Sequence, residues 1–99
     1  MISGLAITVK FVGALRHDAG VELLTLDCGK NVPIKKIVSE ITQERPELKR
    51  SLIDQHLQDP RLNALILVNG REISALKDGL DTKLKDGDEV VLIPVVHGG

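Results

Sequence analysis

The chain has 99 residues, enough for one domain and too few for two. Its 13 Lys and Arg residues nearly balance 14 Asp and Glu, and the net charge of -1 argues against a basic nucleic-acid-binding surface or a cationic membrane-binding face. Leu, Ile and Val supply 34 residues and Phe11 is the single aromatic residue, so the core must be aliphatic. The chain has one cysteine, Cys28, which excludes an internal disulfide and a thiolate-based metal site.

The first residues, 1–4, lack the basic and apolar regions of a signal peptide. No apolar run approaches the roughly 20 residues that a membrane-spanning helix needs. We therefore expect a cytoplasmic protein of a reducing compartment, without membrane contact.

Alternation of apolar and polar side chains predicts two strands in the first third of the chain. Leu5–Val12 places its buried side chains at every second residue, and a second strand follows at Val21–Cys28. The segment 13–20 between them is predicted to be a polar connection.

An amphipathic helix follows the second strand. Asn31 is predicted to be its N-cap, with residues 32–33 in the first turn, where the missing N–H of proline costs nothing. Arg45-Pro46 ends this helix, and a shorter helix is predicted over Glu47–Leu57. The apolar face of the main helix is formed by Ile34, Ile37, Val38 and Ile41.

The second half of the chain predicts three more strands. Ala64–Val68 is a continuous apolar run that enters Asn69-Gly70, a pair that favours the positive φ angles of a tight hairpin turn. Residues 74–84 are irregular, a turn at 86–88 follows, and Glu89–Val96 forms the last strand. The irregular segment directs Leu76, Leu80 and Leu84 inward.

This order predicts an α+β fold, a β-grasp (ubiquitin-like) roll with a mixed four- to five-stranded sheet and one main helix packed on one face. The first and last strands lie side by side in the middle of that sheet. We expect one domain over residues 1–99, with a flexible C-terminal tail from about residue 95.

The sequence predicts no catalytic residues and no metal site. His17, His56 and His97 are far apart, and no phosphate-binding loop, dinucleotide motif or nucleophile elbow is present. Asp86 and Asp88 belong to a solvated turn rather than a cation site, because the rest of a calcium loop is missing.

Cys28 is predicted to be a small buried hydrophobic residue, because it shares strand parity with Leu24 and Leu26. The alternative is an exposed thiol of low pKa that carries a persulfide. Only Lys30 supplies a positive charge nearby, so this alternative lacks the expected surroundings.

The last strand is apolar at both parities before it reaches His97-Gly98-Gly99. Pro94 removes a ladder donor, so regular pairing should weaken there, and Val95–Gly99 then extends up to about 17 Å from the body. Glycines lack Cβ atoms, so such a tail fits a narrow channel. The alternative is a frayed terminus or an expression remnant.

One parity of the last strand must face away from the main helix, and we expect that set to bind a partner. The alternative is that loops or the Glu47–Leu57 helix cover this face. The third predicted strand raises the same question. Either Leu65 and Leu67 or Ile66 and Val68 must face away from the main helix. The two sets of the last strand are Val91, Ile93 and Val95 on one side and Val90, Leu92 and Val96 on the other.

The sequence resembles the ubiquitin-like β-grasp sulfur carriers and modifiers: the molybdopterin synthase small subunit (MoaD), the thiazole sulfur carrier (ThiS), the ubiquitin-related modifier and the small archaeal modifier proteins. Residues 68–73, 80–90 and the terminal 97–99 carry the resemblance, together with the helix start at 31–32 and the segment 45–48. The terminal triplet is nearer the ubiquitin-related modifiers, and the long stretch before the third strand argues against the thiazole branch.

The resemblance implies that Gly98 and Gly99 carry the function. The Gly99 carboxylate would be adenylated by an E1-like activating enzyme that uses ATP, while this chain binds no cofactor itself. It would then become a thiocarboxylate, in roles that include tRNA thiolation, or be joined to a lysine of a target protein. Val91, Ile93, Val95, Val96 and His97 would form the tail and docking surface.

Two alternatives remain open at this point. The chain could be the small subunit of molybdopterin synthase, whose thiocarboxylate enters a sulfur-accepting larger subunit, or a β-grasp module that binds without covalent chemistry. Direct nucleic-acid contact is not expected, and the free protein is expected to be a monomer.

Overall fold

The computed structural model describes residues 5–52 and 63–95, and in this part of the chain five strands form one mixed sheet. The central strands, the first and the last, pair in parallel, and every other pair is antiparallel. The predicted central position of these two strands is confirmed. In sheet order the strands are β2 (Leu23–Cys28), β1 (Leu5–Phe11), β5 (Glu89–Pro94), β3 (Ala64–Val68) and β4 (Arg71–Glu72).

Over the same residues, three helices lie on one side of the sheet: α1 (Ala14–Ala19), α2 (Ile34–Glu44) and α3 (Pro46–Leu52). The third helix packs against both of the others. The predicted main helix is confirmed as α2, which ends before Arg45-Pro46. The core between helices and sheet is aliphatic apart from Phe11, and its fully buried members include Ile7, Val9, Ile34, Ile37, Ile41, Leu48, Leu52, Ile66, Ile73, Val90 and Leu92.

The prediction of a polar connection at 13–20 is wrong, because α1 occupies that segment. Leu15 and Ala19, one helical turn apart, are both buried, and Gly20 closes the helix with a φ of 80°. A six-residue helix offers only two buried positions, which is too few for a helical period to stand out from a loop.

The predicted N-cap at Asn31 is also wrong. The helix begins only at Ile34, and Asn31 has a φ of 58°, in the left-handed region. A short backbone pairing holds the start of α2 instead: the Ile34 N–H donates to the Thr82 carbonyl at 3.1 Å, and the Leu84 N–H donates to the Val32 carbonyl at 2.9 Å. These tertiary hydrogen bonds do the work that a side-chain cap would do.

The hairpin predicted at Asn69-Gly70 is confirmed, with φ angles of 51° and 84° between β3 and β4. The Asn69 side chain also binds the start of β5, because its amide nitrogen donates to an Asp88 carboxylate oxygen at 2.9 Å and its oxygen accepts the Glu89 N–H at 2.9 Å. The other Asp88 oxygen accepts the Lys85 N–H at 2.8 Å. Two sequence motifs, the hairpin and the turn at 86–88, therefore meet in one network.

The turn at 86–88 also holds the beginning of β1. Asp86 accepts the Ala6 N–H at 2.8 Å, and the Gly87 N–H donates to the Ala6 carbonyl at 2.8 Å. The carboxylates of this turn are thus engaged by N–H groups. Among residues 5–52 and 63–95, no cluster of three or more His, Cys, Asp or Glu side chains is arranged to hold a metal ion.

The irregular segment contains two 3₁₀ turns within the described range, Ile73–Ala75 and Gly79–Asp81. Leu84 is buried, and Leu76 and Leu80 pack partly buried against the core, so their predicted inward direction is confirmed. No helix found in the described part of the chain is long and apolar enough to cross a membrane.

Candidate functional site

The two sides of β5 are now distinguishable. Val90 and Leu92 are fully buried under the helices, whereas Val91, Ile93 and Val95 are half-buried. The odd-numbered set therefore lies on the face of the sheet away from the helices, which we call the open face. The Val95 N–H donates to the Asn63 carbonyl at 2.9 Å. Hydrogen bonding between the β5 segment and the residue before β3 therefore continues one residue beyond Pro94.

Strand β3 adds two apolar side chains to the same face. Leu65 lies directly opposite Ile93, and Leu67 directly opposite Val91. Directly opposed side chains on neighbouring strands are in contact distance. We call Leu65, Leu67, Val91, Ile93 and Val95 the open-face patch.

Helix α3 does not cover this patch. Leu48 and Leu52 of that helix are fully buried in the core on the opposite side of the sheet. The alternative that the predicted Glu47–Leu57 helix covers the open face therefore fails for residues 47–52, and residues 53–57 lie outside the described ones.

The most exposed large apolar side chains share one end of the sheet. Because β1 runs parallel to β5 while β2 and β3 run antiparallel to their neighbours, the end of β1 and the starts of β2 and β3 adjoin the end of β5. We call these side chains the apolar rim. Within the described residues, its members are Val12 (37% exposed), Val21 (36%), Leu23 (47%) and Leu65 (45%).

Sequence reasoning missed three rim residues, Val12, Val21 and Leu23. A signal for two of them was present. The buried set of β1 is odd-numbered, so Val12 falls on the open face, and the adjacent pair Leu23 and Leu24 cannot both point to one side of a strand.

A charged side chain borders the open-face patch on the β1 side, where Lys10 stands in the register between Val91 and the rim residue Leu23. Lys10 lies beside Val91 in the register, and its ammonium group forms an ion pair with the Glu89 carboxylate at 3.1 Å. Both side chains are well exposed, so the pair contributes little to stability. It does mark where the apolar surface ends along β5.

Four predicted site residues, Val96, His97, Gly98 and Gly99, lie outside the described residues, so their roles remain predictions. Chain geometry still limits them. Four residues beyond Val95 span at most about 14 Å. A partner that contacts residue 99 must therefore come within about 14 Å of Val95, at the sheet end that carries the apolar rim.

Cys28 is buried at the far end of β2, opposite Leu5 in the register. Burial raises the pKa of its thiol, and the nearby Glu40 and Asp27 carboxylates raise it further. The thiol therefore stays protonated at neutral pH, and the prediction of a buried hydrophobic residue is confirmed.

Comparisons with known proteins agree on one kind of relative. A model of the ThiS family matches residues 9–99. Small archaeal modifier protein 3 of Haloferax volcanii is 28% identical over 95 residues, which cover 96% of this chain and all of the relative.

Solved structures extend the likeness. The small archaeal modifier protein 1 of Methanosarcina acetivorans has 31% identity and a TM-score of 0.81, covering 97% of this chain and 98% of its own. Urm1 of Trypanosoma brucei has 31% identity and a TM-score of 0.78, with both chains covered completely. The predicted β-grasp fold is confirmed. Within residues 5–52 and 63–95, the main helix and the shorter helix predicted after it are present as α2 and α3, and α1 is the one helix that was not predicted.

One further structure contains two different chains. The complex of subunits 1 and 2 of the molybdopterin-converting factor from Helicobacter pylori 26695 has a chain with 28% identity and a TM-score of 0.61, covering 96% of this chain and 100% of its own. A fold of this kind thus occurs bound to a second protein.

Proposed function

Because this chain belongs to the ThiS family, we propose that it is a ubiquitin-like modifier and sulfur carrier whose Gly99 carboxyl group is activated by an ATP-dependent, E1-like enzyme. Its relatives are small modifier proteins rather than catalysts, which supports a role as the substrate of another enzyme. The observation that carries the proposal is the apolar rim, which lies at the sheet end where β5 leads into residues 96–99.

The chemistry follows from the properties of a carboxylate. A terminal α-carboxyl group has a pKa of about 3.3–3.7, so at neutral pH it is an anion and a poor electrophile. In the proposed step a Gly99 carboxylate oxygen attacks the α-phosphorus of ATP and pyrophosphate leaves. The resulting acyl adenylate has AMP as its leaving group. Hydrosulfide (HS⁻) then displaces AMP to give a thiocarboxylic acid, which loses a proton to become the thiocarboxylate. Alternatively, a lysine amine displaces AMP to give an isopeptide bond with loss of a proton.

The partner supplies the nucleotide site, and this chain contributes the docking surface. An enzyme that holds Gly99 at its ATP must come within about 14 Å of Val95, which is close enough to bury the nearer part of the apolar rim. Burying exposed apolar surface is favourable at about 25 cal/mol per Å². We place the docking surface at Val91, Ile93 and Val95, extended by the rim, with Val96 and His97 following into the partner's channel. Residues 1–99 then act as one domain with a C-terminal tail.

The test starts from protein isolated from its native cells, whose intact mass establishes whether the chain ends at Gly99. The purified protein is then incubated with ATP and the activating enzyme of the same organism, and its mass is measured again. An adenylate, or exchange of oxygen for sulfur, is the expected result. A variant that lacks Gly98 and Gly99 is the matched control and should stay unchanged.

The opposite result is equally clear. If the protein ending at Gly99 gains no mass with any candidate activating enzyme, and cells with the truncated variant behave like the parent, the chain is a non-covalent binding module.

A second candidate is the small subunit of molybdopterin synthase, favoured by the likeness to a chain of the Helicobacter pylori complex. Both candidates use the same activated carboxyl group and differ in the acceptor. Cell extracts separate them. Lysines that carry a Gly98-Gly99 remnant indicate a modifier, whereas one stoichiometric partner without such lysines indicates the synthase subunit.

A further inference from the structure

The end of β5 packs against a glycine that starts α1. Gly13 has a φ of 60° and a ψ of -134°, a conformation that turns the chain from β1 into α1 and that L side chains rarely adopt. A Cβ atom at this position would lie 3.3 Å from Cγ of Pro94. A glycine is therefore favoured at position 13 for two reasons: it allows the sharp turn, and it leaves room for the Pro94 ring.

Hydrogen bonds hold the end of β5 from both neighbouring strands. On the β1 side, the Val12 N–H donates to the Leu92 carbonyl at 3.0 Å. On the β3 side, the Val95 N–H donates to the Asn63 carbonyl at 2.9 Å. The proline therefore lies between two fixed points immediately before the C-terminal segment.

Helix α1, which carries Gly13 at its start, is itself fixed at its other end. The Arg45 guanidinium donates from Nε to the Ala19 carbonyl at 3.1 Å, and the Ser51 hydroxyl donates to the Asp18 carboxylate. Arg45 separates α2 from α3, and Ser51 belongs to α3. Helix α1, which begins next to Gly13, is thus fixed at its far end by the α2–α3 junction and by α3.

We propose that Gly13 and Pro94 are positioning residues, which fix the point and direction at which the C-terminal segment leaves the sheet. This inference rests on the proposed activation of Gly99. Docking through the open face decides how tightly the partner binds, whereas the Gly13–Pro94 contact decides whether the carboxyl group reaches the nucleotide. A reacting group held in the right geometry reacts faster than one that must search for it.

Three variants separate this role from simple stability. Gly13→Ala pushes the Pro94 ring by a few tenths of an ångström and strains the turn, while Pro94→Ala removes the ring and leaves the turn intact. In the double variant, Gly13→Ala with Pro94→Ala, the proline ring is gone and the added Cβ atom at position 13 no longer meets it. Gly20→Ala is the matched control, because Gly20 closes the same helix at a φ of 80° yet a Cβ there meets nothing within 4 Å.

Two measurements are made on each variant. The first is amide hydrogen exchange at Val95 in the free protein, which needs no partner. Pro94→Ala and Gly13→Ala should speed this exchange about tenfold relative to the Val9 amide in the sheet, and Gly20→Ala should not. The second is adenylation, in which kcat per folded molecule should fall about tenfold with KM within twofold of the parent.

The outcomes discriminate between failures. Unchanged Val95 exchange in both variants refutes the positioning role whatever the partner does, and so does a fall in kcat that Gly20→Ala shares. If the parent is never adenylated, the proposed function fails while the exchange data still test the contact. Should Gly13→Ala not fold, Pro94→Ala alone carries both measurements, and the double variant is then omitted.

Discussion

Replacing Leu65 by Asp should weaken docking of the proposed activating enzyme without unfolding the protein. Leu65 is 45% exposed and lies opposite Ile93 on the open face. Complete burial of a leucine contributes about 1.5–3 kcal/mol, so a partner that covers the remaining 45% gains about 1 kcal/mol, or about fivefold in KM. Burying an unpaired carboxylate adds a desolvation cost, so we expect KM to rise about ten- to a hundredfold.

The assay follows pyrophosphate release at increasing concentrations of the carrier, with thermal unfolding measured in parallel. Ile66→Ala is the matched control on the same strand, because Ile66 is fully buried on the helix side. That variant should lose about 2–5 kcal/mol of stability and keep the parental KM for its folded fraction. A folded Leu65→Asp protein with KM within twofold of the parent would show that the partner does not bind here.

Three further predictions concern stability and titration. Asn69→Ala should lower the free energy of unfolding by about 1–3 kcal/mol in urea, because the Asp88 carboxylate and the start of β5 lose their partner at a left-handed position. The pKa of Cys28 is raised in the folded protein, so with rising pH the thiol of the unfolded chain ionises before that of the folded chain. The free energy of unfolding should therefore fall as pH rises above the thiol's ordinary pKa. Cys28→Ala should flatten this decline, as measured by urea unfolding at alkaline pH. The hydrogen bond and charge of Lys35 lower the pKa of Asp81. Lys35→Met should therefore return the pKa of Asp81 toward its usual value, as measured by NMR titration. Any stability difference between Lys35→Met and the parent protein should vanish as pH falls through the lowered pKa.

Strong local signals account for what the sequence predicted well. The central strands alternate or are continuously apolar, α2 repeats its apolar residues over two turns, and Asn69-Gly70 favours one turn geometry. These features depend on neighbours within a few residues, so the sequence alone is enough to predict them. The family motifs extended the prediction from elements to a fold, and the ThiS family match confirmed it.

What the sequence left open depends on contacts far apart in the chain. Nothing within β5 tells Val91 from Leu92, because the helices decide which parity is covered. Val12 and Leu23 lie 11 residues apart, and only the antiparallel β1–β2 register brings both to one end of the sheet. Helix α1 packs against α3, β5 and β1, and no local pattern in residues 13–20 predicts those contacts.

The pairing order of the sheet has a consequence for synthesis on the ribosome. Strand β5, the last of the five described strands to be translated, lies between β1 and β3 and joins the two halves of the sheet. A nascent chain that stops before it has the β1–β2 pair and the β3–β4 pair but lacks the strand that joins them. Folding of the sheet must therefore wait until β5 has been synthesised, and products terminated before β5 should be cleared by proteases rather than accumulate.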